Sequence, residues 1–317
     1  MKIAIDVMGG DFAPGEIIAG ACKWAEQPGC HAILVGKEAI IKQELGNFDP
    51  EKLTIINADE VIQMDESVLA LRKKKKASIA VATKLVHDKT ADAVLSCGST
   101  AAQMASALFI LGRFNGIDRP PIVASIPGPE GKNTLLIDVG ANVDCKPAQM
   151  LQFAVLGKSY AAAVMGRDNP VIGLLNNGSE ETKGNALALE AYSLLKNEKI
   201  LNFIGNIEGR DLFGGSCDVV VCDGFTGNIV LKALEGLGLY LGRAMVQETG
   251  KVPAVLHRFD YSNVGGAPLL GVEGVSIVCH GSSKRDAVFS GLNTACDCVT
   301  RDIVNMQKEA LKLIAVD

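Results

Sequence analysis

The fold of this chain is restricted most by a segment order that repeats: a short β-branched apolar run, a turn containing glycine, and then apolar residues at helical spacing. The clearest copy begins at Val219–Val221, which predicts a buried strand, continues through the turn Asp223–Asn228, and enters a helical repeat from Ile229 to Met245. Strands that alternate with helices are typical of βαβ units. We therefore predict an α/β fold built on a mostly parallel, doubly wound sheet.

The remaining segments follow the same order. Strands are predicted at Lys2–Val7, Ala32–Val35, Leu53–Asn57, Ala93–Ser96, Ile122–Ile126, Thr134–Val139, Pro170–Leu175, Phe203–Ile207 and Gly274–Val278. Helices are predicted from Pro14 and from Lys37, and at Ser78–His87, Ala101–Leu111, Pro147–Met165, Ala186–Leu195 and Ala287–Ile314. Residues 265–272 are predicted to form a glycine-rich turn. Because the sequence contains no repeat, linker or low-complexity segment, we expect residues 1–317 to form one continuous domain.

Composition and charge argue against several classes of protein. The 317-residue chain is 48% hydrophobic and 21% charged, as in a soluble globule. A net charge of −5 argues against general nucleic-acid binding. No apolar run approaches the roughly 20 residues of a membrane-spanning helix, and the N-terminus lacks the pattern of a signal peptide. Nine cysteines without paired metal-ligand spacing indicate reduced thiols in the cytoplasm, and we expect no metal site and no cofactor.

Small-residue turns after four predicted strands point to an anion-binding site. They contain Gly9-Gly10, Gly98-Ser99-Thr100, Gly224–Asn228 and Gly281-Ser282. In a parallel sheet such turns meet at one edge, where backbone N–H groups and helix N-termini bind phosphate. We therefore expect one shared cradle for phosphate. Its candidate binding residues are Asp6, Gly9, Gly10, Asp11, Gly98, Ser99, Thr100, Asn142, Asn177 and Gly227. For the two aspartates, the alternative is that they hold their own turn through bonds to the backbone.

Three side chains are candidates for chemistry at these turns. Lys183 lies near a predicted helix start, where a cation opposes the helix dipole, so either a bound anion or pairing with Glu180 would account for it. His280 is either a proton donor and acceptor near neutral pH or an ordinary satisfied histidine. Asn228 either stabilises an oxyanion or caps the helix. The chain has no Gly-x-Gly-x-x-Gly fingerprint, P-loop or nucleophile elbow, so phosphate itself could be the nucleophile.

Two surface segments suggest contacts with larger partners. The basic run Arg72, Lys73, Lys74, Lys75 and Lys76 is either solvated surface or a landing site for an acidic partner. The long helix after Asn228 and residues 249–263 combine apolar residues, among them Leu256 and Phe259, with few charges. These segments could be buried in the fold, pair with a second subunit, or rest on a lipid surface.

Five motifs together match one known family. They are MKIAIDVMGGDFAP at the N-terminus, DVGANVDCKP from Asp138, NNGSEETKGN from Asn176, CDGFTGN from Cys222, and GGAPLLGV with HGSS between Gly265 and Ser283. In this order and spacing they resemble the PlsX family, the bacterial acyl-carrier-protein:phosphate acyltransferases. The resemblance implies transfer of a long-chain acyl group from acyl carrier protein to inorganic phosphate, which yields acyl phosphate for phospholipid synthesis.

The resemblance has further implications. It implies a cytoplasmic homodimer that binds peripherally to the inner face of the membrane through a helical projection at about residues 228–262, and a downstream acyltransferase that uses acyl phosphate. The fold would be of the isocitrate/isopropylmalate dehydrogenase-like type, and Lys183 and Asn228 match residues near the family's chemistry. Three alternatives stay open: an acyl-coenzyme A phosphotransacetylase, an isopropylmalate dehydrogenase-like oxidoreductase, and a non-catalytic scaffold.

Overall fold

Two compact units make up the chain in the computed structural model, which describes residues 1–45, 50–67, 69–253, 256–259 and 265–314. Unit 1 comprises Met1–Arg113 and Tyr261–Thr300, and unit 2 comprises Phe114–Asp260 and Arg301–Asp317. Each unit contains one sheet of the described strands. The single-domain organisation stays a prediction, since two compact units can belong to one folding domain.

The elements of the described residues are numbered in chain order. The strands are β1 (Lys2–Asp6), β2 (His31–Gly36), β3 (Leu53–Asn57), β4 (Ala93–Ser96), β5 (Val123–Ile126), β6 (Thr134–Ile137), β7 (Val171–Asn176), β8 (Asn202–Glu208), β9 (Val219–Val221), β10 (Ala267–Leu269) and β11 (Val275–Val278). The helices are α1 (Gly15–Ala25), α2 (Glu38–Leu45), α3 (Ala70–Lys73), α4 (Ser78–His87), α5 (Thr100–Ser106), α6 (Pro147–Ala163), α7 (Ala186–Asn197), α8 (Gly224–Thr249), α9 (Arg285–Thr300) and α10 (Ile303–Leu311). Short 3-10 turns occur at Pro50–Lys52, Pro129–Gly131, Gly209–Phe213 and Leu256–Phe259.

The sheet of unit 1 has the strand order β10-β11-β4-β1-β2-β3. Its neighbours are parallel except for the pair β10 and β11. The central strands are continuous apolar runs, such as the fully buried Ile3, Ala4 and Ile5 of β1, because helices cover a parallel sheet on its faces. Asp6 lies in register with Ser96, the last residue of β4, and Ser96 with the last residue of β11. The carboxyl ends of these three strands therefore meet at one edge.

The sheet of unit 2 has the order β5-β6-β9-β7-β8, and only β5 and β6 are antiparallel. Strand β9 consists of the fully buried Val219–Val221, and helix α6 packs against it. Ile137 of β6 lies in register with Val221 of β9, which lies in register with Leu174 of β7. The loops that follow these three strands therefore leave the sheet at the same edge.

The prediction of a mostly parallel α/β fold is confirmed, but the prediction of one sheet is wrong. The strands of unit 2 come between the two segments of unit 1 in the sequence and form a sheet of their own, and strand patterns do not report which sheet a strand joins. The predicted glycine-rich turn at 265–272 contains strand β10, which pairs antiparallel with β11.

Two predicted helix limits are also wrong. The last predicted helix is divided into α9 and α10, because Asp302 takes a left-handed conformation (φ 50°) between them. Helix α9 packs against α1, and α10 packs against α6. Residues 107–111 of the helix predicted at 101–111 form a π-helical turn after α5. The start of α8 differs as well, as described with the site below.

The described residues contain no helix long and apolar enough to cross a membrane. All nine cysteines are free thiols. In the part of the chain that the structure describes, no group of three or more histidine, cysteine or acidic residues is placed to hold a metal ion.

Candidate active site

Asp6 organises the carboxyl edge of the unit 1 sheet. Its buried carboxylate accepts hydrogen bonds from Ser96 Oγ (2.8 Å) and Met8 N (3.2 Å). Ser96 Oγ in turn accepts one from Gly98 N (3.0 Å). Burial raises the pKa of Asp6, although hydrogen bonds from the hydroxyls of Ser78 and Ser96 act to lower it. These contacts are those of the turn-holding alternative, and direct contact of Asp6 with phosphate stays a prediction.

Glycines allow the turns of unit 1 to approach each other closely. A Cβ atom on Gly9 would lie 2.8 Å from both Cα and N of Gly98, a separation that no side chain tolerates. Gly10 has a φ of 112°, which favours glycine. Asp11 N donates a hydrogen bond to Gly281 O (2.8 Å). The structure therefore brings four of the predicted binding residues together with the turn after β11.

Ser99 and Thr100 stand where α5 begins, at the same edge. Ser99 is the N-cap residue, and its Oγ accepts a hydrogen bond from Ala102 N (3.4 Å). Thr100 is the first helical residue and is exposed. The Ser99 hydroxyl is thus used as a helix cap, and ligand contact by either residue stays a prediction.

His280 lies two residues beyond β11 and is exposed. Ser282 N donates a hydrogen bond to its Nδ1 (3.2 Å), and Ser282 Oγ lies 2.7 Å from the same nitrogen. A backbone N–H can only donate, so Nδ1 is an acceptor and the neutral ring carries its proton on Nε2. The Nε2–H group can therefore donate a hydrogen bond at this edge.

Asp138, which sequence reasoning missed, organises the carboxyl edge of the unit 2 sheet. It follows β6 directly, is fully buried, and accepts five hydrogen bonds. Oδ1 accepts from the backbone N of Ile122 (3.0 Å), Gly140 (3.3 Å) and Ala141 (3.0 Å), and Oδ2 from N (2.7 Å) and Nδ2 (2.9 Å) of Asn142. Burial raises the pKa of Asp138, although these donors act to lower it. An aspartate placed directly between an apolar strand and a glycine turn is the signal that could have found it.

Helix α8 begins at Gly224, inside the segment predicted as a turn, and its cap is Asp223. Asp223 Oδ1 accepts a hydrogen bond from Thr226 N (2.9 Å), and Oδ2 accepts one from Thr226 Oγ1 (2.7 Å). Gly224 N donates to Asn142 O (2.7 Å). The helix-capping alternative for Asn228 is therefore wrong, and these two N–H groups are occupied within the protein.

Gly227 and Asn228 pack against the turn after β6. A Cβ atom on Gly227 would lie 1.8 Å from Asp138 O, so only glycine lets α8 start this close. A Cβ atom on Gly140 would lie 3.4–3.5 Å from the side chain of Asn228, which is exposed. Asn142 is buried and uses its amide to bind Asp138 Oδ2. The carboxamide of Asn228 is thus accessible to a ligand. Direct ligand contact by Gly227 and Asn142 stays a prediction.

Lys183 lies in the loop from β7 to α7 and is exposed. Its backbone N donates to Glu180 O (3.1 Å), and its O accepts from Asn176 Nδ2 (3.1 Å). Its aliphatic stem crosses Gly178, where a Cβ atom would lie 2.8 Å from Lys183 Cγ. Among the described residues Lys183 Nζ forms no ion pair. The alternative that Lys183 pairs with Glu180 is therefore wrong. Asn177, also predicted, is exposed in the same loop.

The five cations of the basic run differ in their surroundings. Lys74 is half-buried, and its Nζ donates to Glu66 Oε2 (2.6 Å) and to Val61 O (2.8 Å). The same lysine holds the pKa of Glu66 below its usual value. Lys74 therefore ties the loop before α4 together. The exposed members of the run are Arg72, Lys73, Lys75 and Lys76.

Helix α8 is 26 residues long, and only Gly224 and Gly227 within it are buried. It is therefore not buried within its unit. Its exposed apolar side chains include those of Ile229, Leu237, Leu239, Tyr240 and Val246. Leu256 is half-buried in the 3-10 turn Leu256–Phe259, while the side chain of Phe259 and residues 254–255 and 260–264 lie outside the described residues.

Each unit thus presents polar groups at the carboxyl edge of its own sheet. Unit 1 presents the backbone of its glycine turns together with His280, and unit 2 presents the exposed side chains of Lys183 and Asn228. An ammonium group binds phosphate, and a carboxamide N–H stabilises an oxyanion. The single cradle that joins these groups stays a prediction.

Comparison with known proteins identifies the family. A family model described as fatty acid synthesis protein matches residues 1–306. The phosphate acyltransferase of Syntrophomonas wolfei is 56% identical over 99% of this chain and 100% of its own length. The phosphate acyltransferase of Pelotomaculum thermopropionicum is 50% identical over 100% of this chain and 96% of its own length. The chain belongs to the phosphate acyltransferase family. The resemblance to the PlsX family is therefore confirmed.

Solved structures support the fold. The EutD phosphotransacetylase from Staphylococcus aureus has a TM-score of 0.61 at 17% identity, covering 98% of this chain and 94% of its own. The 4-hydroxythreonine-4-phosphate dehydrogenase from Klebsiella pneumoniae has a TM-score of 0.53 at 15% identity, covering 94% and 98%. Phosphotransacetylase and dehydrogenase folds are thus both similar to this α/β architecture.

Proposed function

We propose that this protein transfers a long-chain acyl group from acyl carrier protein to inorganic phosphate. The observation that carries the proposal is the 56% identity to a phosphate acyltransferase over the full length of both chains. The family's description as fatty acid synthesis protein agrees with an acyl substrate. As part of the same proposal, the fold is of the isocitrate/isopropylmalate dehydrogenase-like type.

The proposed reaction is a direct displacement. An oxygen of hydrogen phosphate attacks the carbonyl carbon of the thioester, and the carbonyl oxygen becomes an oxyanion in the tetrahedral intermediate. The C–S bond then breaks, which gives acyl phosphate and the thiolate of the carrier arm. The proton lost by phosphate is transferred to the thiolate, so that atoms and charge balance. Holding the two reactants together can lower the barrier by roughly 7–11 kcal/mol.

Three side chains have separate proposed roles. Lys183 binds phosphate, since its ammonium is exposed and forms no ion pair among the described residues. Asn228 donates a hydrogen bond to the oxyanion, because its carboxamide is exposed beside Gly140. His280 assists protonation of the thiolate: its Nε2–H donates a hydrogen bond to the sulfur, while the proton itself comes from phosphate. This last role is optional, because a thiol is a good leaving group.

Replacing Lys183 by alanine tests the first of these roles. Lost phosphate binding should lower kcat/KM for phosphate by roughly 10- to 100-fold, since hydrogen bonds to charged groups contribute about 1.5–3 kcal/mol. The side chain is exposed, so the melting temperature should stay close to that of the wild type. Activity within a few-fold of wild type would remove Lys183 from the mechanism.

The partners and location are proposed on charge and exposure. An acidic carrier protein docks on the four exposed cations of the basic run. The exposed apolar residues of α8, with Leu256 and Phe259, contact the inner face of the membrane in a cytoplasmic, peripherally bound homodimer. A downstream acyltransferase consumes the acyl phosphate, because mixed anhydrides of this kind hydrolyse and must be used.

The function is tested by release of thiol from an acyl thioester. Palmitoyl carrier protein and palmitoyl-coenzyme A are each incubated with the enzyme, with and without phosphate, and free thiol is measured. We expect release that requires phosphate and is faster with the carrier protein. Faster release from coenzyme A would favour the phosphotransacetylase alternative, and no phosphate-dependent release from either would refute the proposal.

A further inference from the structure

We infer that Asp138 is a positioning residue for the proposed acyl transfer: it holds the turn at Gly140 against Asn228 and so orients the carboxamide that meets the oxyanion. The inference rests on the function proposed above. It adds a residue that is buried and out of reach of any substrate, yet connected to an exposed donor by a short chain of contacts.

The first part of this chain of contacts is the carboxylate. Its two oxygens accept five hydrogen bonds, four of them from residues 140–142. The turn that begins at Gly140, with a φ of 130°, is thereby tied to the end of β6. The Cα atom of Gly140 faces Asn228, whose Cγ, Cβ and Oδ1 would all lie 3.4–3.5 Å from a Cβ placed there.

The second part is the backbone of the same residue. Asp138 N donates to Cys222 O (3.1 Å), two residues before the start of α8. Asp138 O contacts the first turn of α8 at Gly227, where a Cβ atom would lie 1.8 Å away. Gly224 N donates to Asn142 O (2.7 Å). Asp138 therefore fixes both the start of the helix that carries Asn228 and the turn on which its side chain rests.

Only an ionised carboxylate satisfies all of these donors. An asparagine has the same shape, but its NH₂ group would face N–H groups that also donate, so at least two of the five hydrogen bonds would be lost. A misplacement of about 1 Å at a reacting group is enough to cost roughly 100-fold in rate. The turn should therefore move, and Asn228 with it, when Asp138 becomes asparagine.

The test is a double-mutant cycle of Asp138→Asn and Asn228→Ala, with kcat and KM measured for both substrates. Removing one oxyanion donor should lower kcat by roughly 100-fold. If Asp138 acts through Asn228, Asp138→Asn should lower kcat about 10-fold or more in the wild type but less than about 2-fold in the Asn228→Ala background. KM for phosphate should change little in either variant.

Asp218→Asn is the matched control. Asp218 lies in the same unit at the amino end of β9, where it accepts a hydrogen bond from Val171 N (2.8 Å) and pairs with Arg167 Nε (3.0 Å). Its loss should lower the melting temperature while its effect on kcat is the same in both backgrounds. Should Asp138→Asn fail to fold, Gly140→Ala replaces it in the cycle, since a side chain at a φ of 130° strains the turn beside Asn228 while the carboxylate is kept.

The outcomes separate this inference from the function. A wild type without phosphate-dependent thiol release would refute the function, and the inference with it. An Asn228→Ala variant with normal kcat would also overturn the inference. If the wild type is active and Asn228→Ala is impaired, but Asp138→Asn costs the same factor in both backgrounds, only the positioning role is refuted.

Discussion

Reversing the charge of Lys73 and Lys75 is the sharpest test of carrier-protein docking. Both side chains are exposed, whereas Lys74 between them is held by Glu66 and by Val61 O. An exposed ion pair contributes about 0.5 kcal/mol, and reversal replaces that attraction with a repulsion of similar size. Two reversals should therefore weaken docking by about 2 kcal/mol, which is roughly a 30-fold rise in KM for the carrier protein at low salt.

The assay is phosphate-dependent thiol release as the concentration of acyl carrier protein is varied, at low salt and again near 1 M salt. The Debye length falls from about 10 Å at 0.1 M to about 3 Å at 1 M, so the difference from wild type should nearly disappear at high salt. KM for phosphate should not change. Lys74→Met should instead lower the melting temperature, because it breaks the two hydrogen bonds of the loop.

The control variant carries Lys84→Glu and Lys89→Glu, which change the net charge equally at two exposed lysines towards the opposite end of α4. If this control raises KM for the carrier protein as much as the test variant, net charge is responsible and the basic run is not the docking site. If KM for the carrier protein is unchanged in the variant with both Lys73→Glu and Lys75→Glu, the docking argument is refuted.

Three further outcomes are expected. Gly227→Ala should destabilise the protein by about 1–3 kcal/mol, since its Cβ would lie 1.8 Å from a carbonyl oxygen; an unchanged melting temperature would contradict that packing. Burial raises the pKa of Cys145 to about 11, so about 0.1% of this thiol is thiolate at pH 8. Alkylation of Cys145 by iodoacetamide should therefore be roughly 100-fold slower in the native protein than in urea, and the native rate should rise about tenfold per pH unit; equal rates in the two states would refute this. Leu256→Gln and Leu237→Gln should reduce flotation with liposomes of anionic lipid, whereas unchanged flotation with a smaller oligomeric mass would favour subunit contact.

Much of the fold was predictable because parallel strands covered by helices consist of continuous apolar residues. The bounds of β3, β4, β9 and α4 agree with the predicted ones residue for residue. The division into two sheets was not predictable, because local periodicity carries no information about which strands pair. The break at Asp302 was missed for a related reason, since the helical pattern continues across it.

The residues of the candidate site also fall into those that the sequence could predict and those that it could not. The glycine turns, Lys183 and Asn228 could be proposed from the sequence, because residue type and position after a strand are local features. The contacts of Asp138 could not be predicted, because its carboxylate accepts a hydrogen bond from Ile122 N, 16 residues away, and its carbonyl oxygen faces Gly227 on another element. The helix cap at Asp223 was likewise hidden until the start of α8 was known.

The sequence by itself determined the family, the α/β class and the candidate residues for an anion site, because motifs and apolar spacing are properties of the chain's local sequence. Only the tertiary structure decided which polar groups are exposed and which form hydrogen bonds within the turns of the protein. Asp6 and Ser96 are 90 residues apart yet 2.8 Å in contact, and Lys74 differs from its four cationic neighbours only through Glu66 and Val61. A buried polar group must find a hydrogen-bond partner, and that partner is set by how distant segments pack.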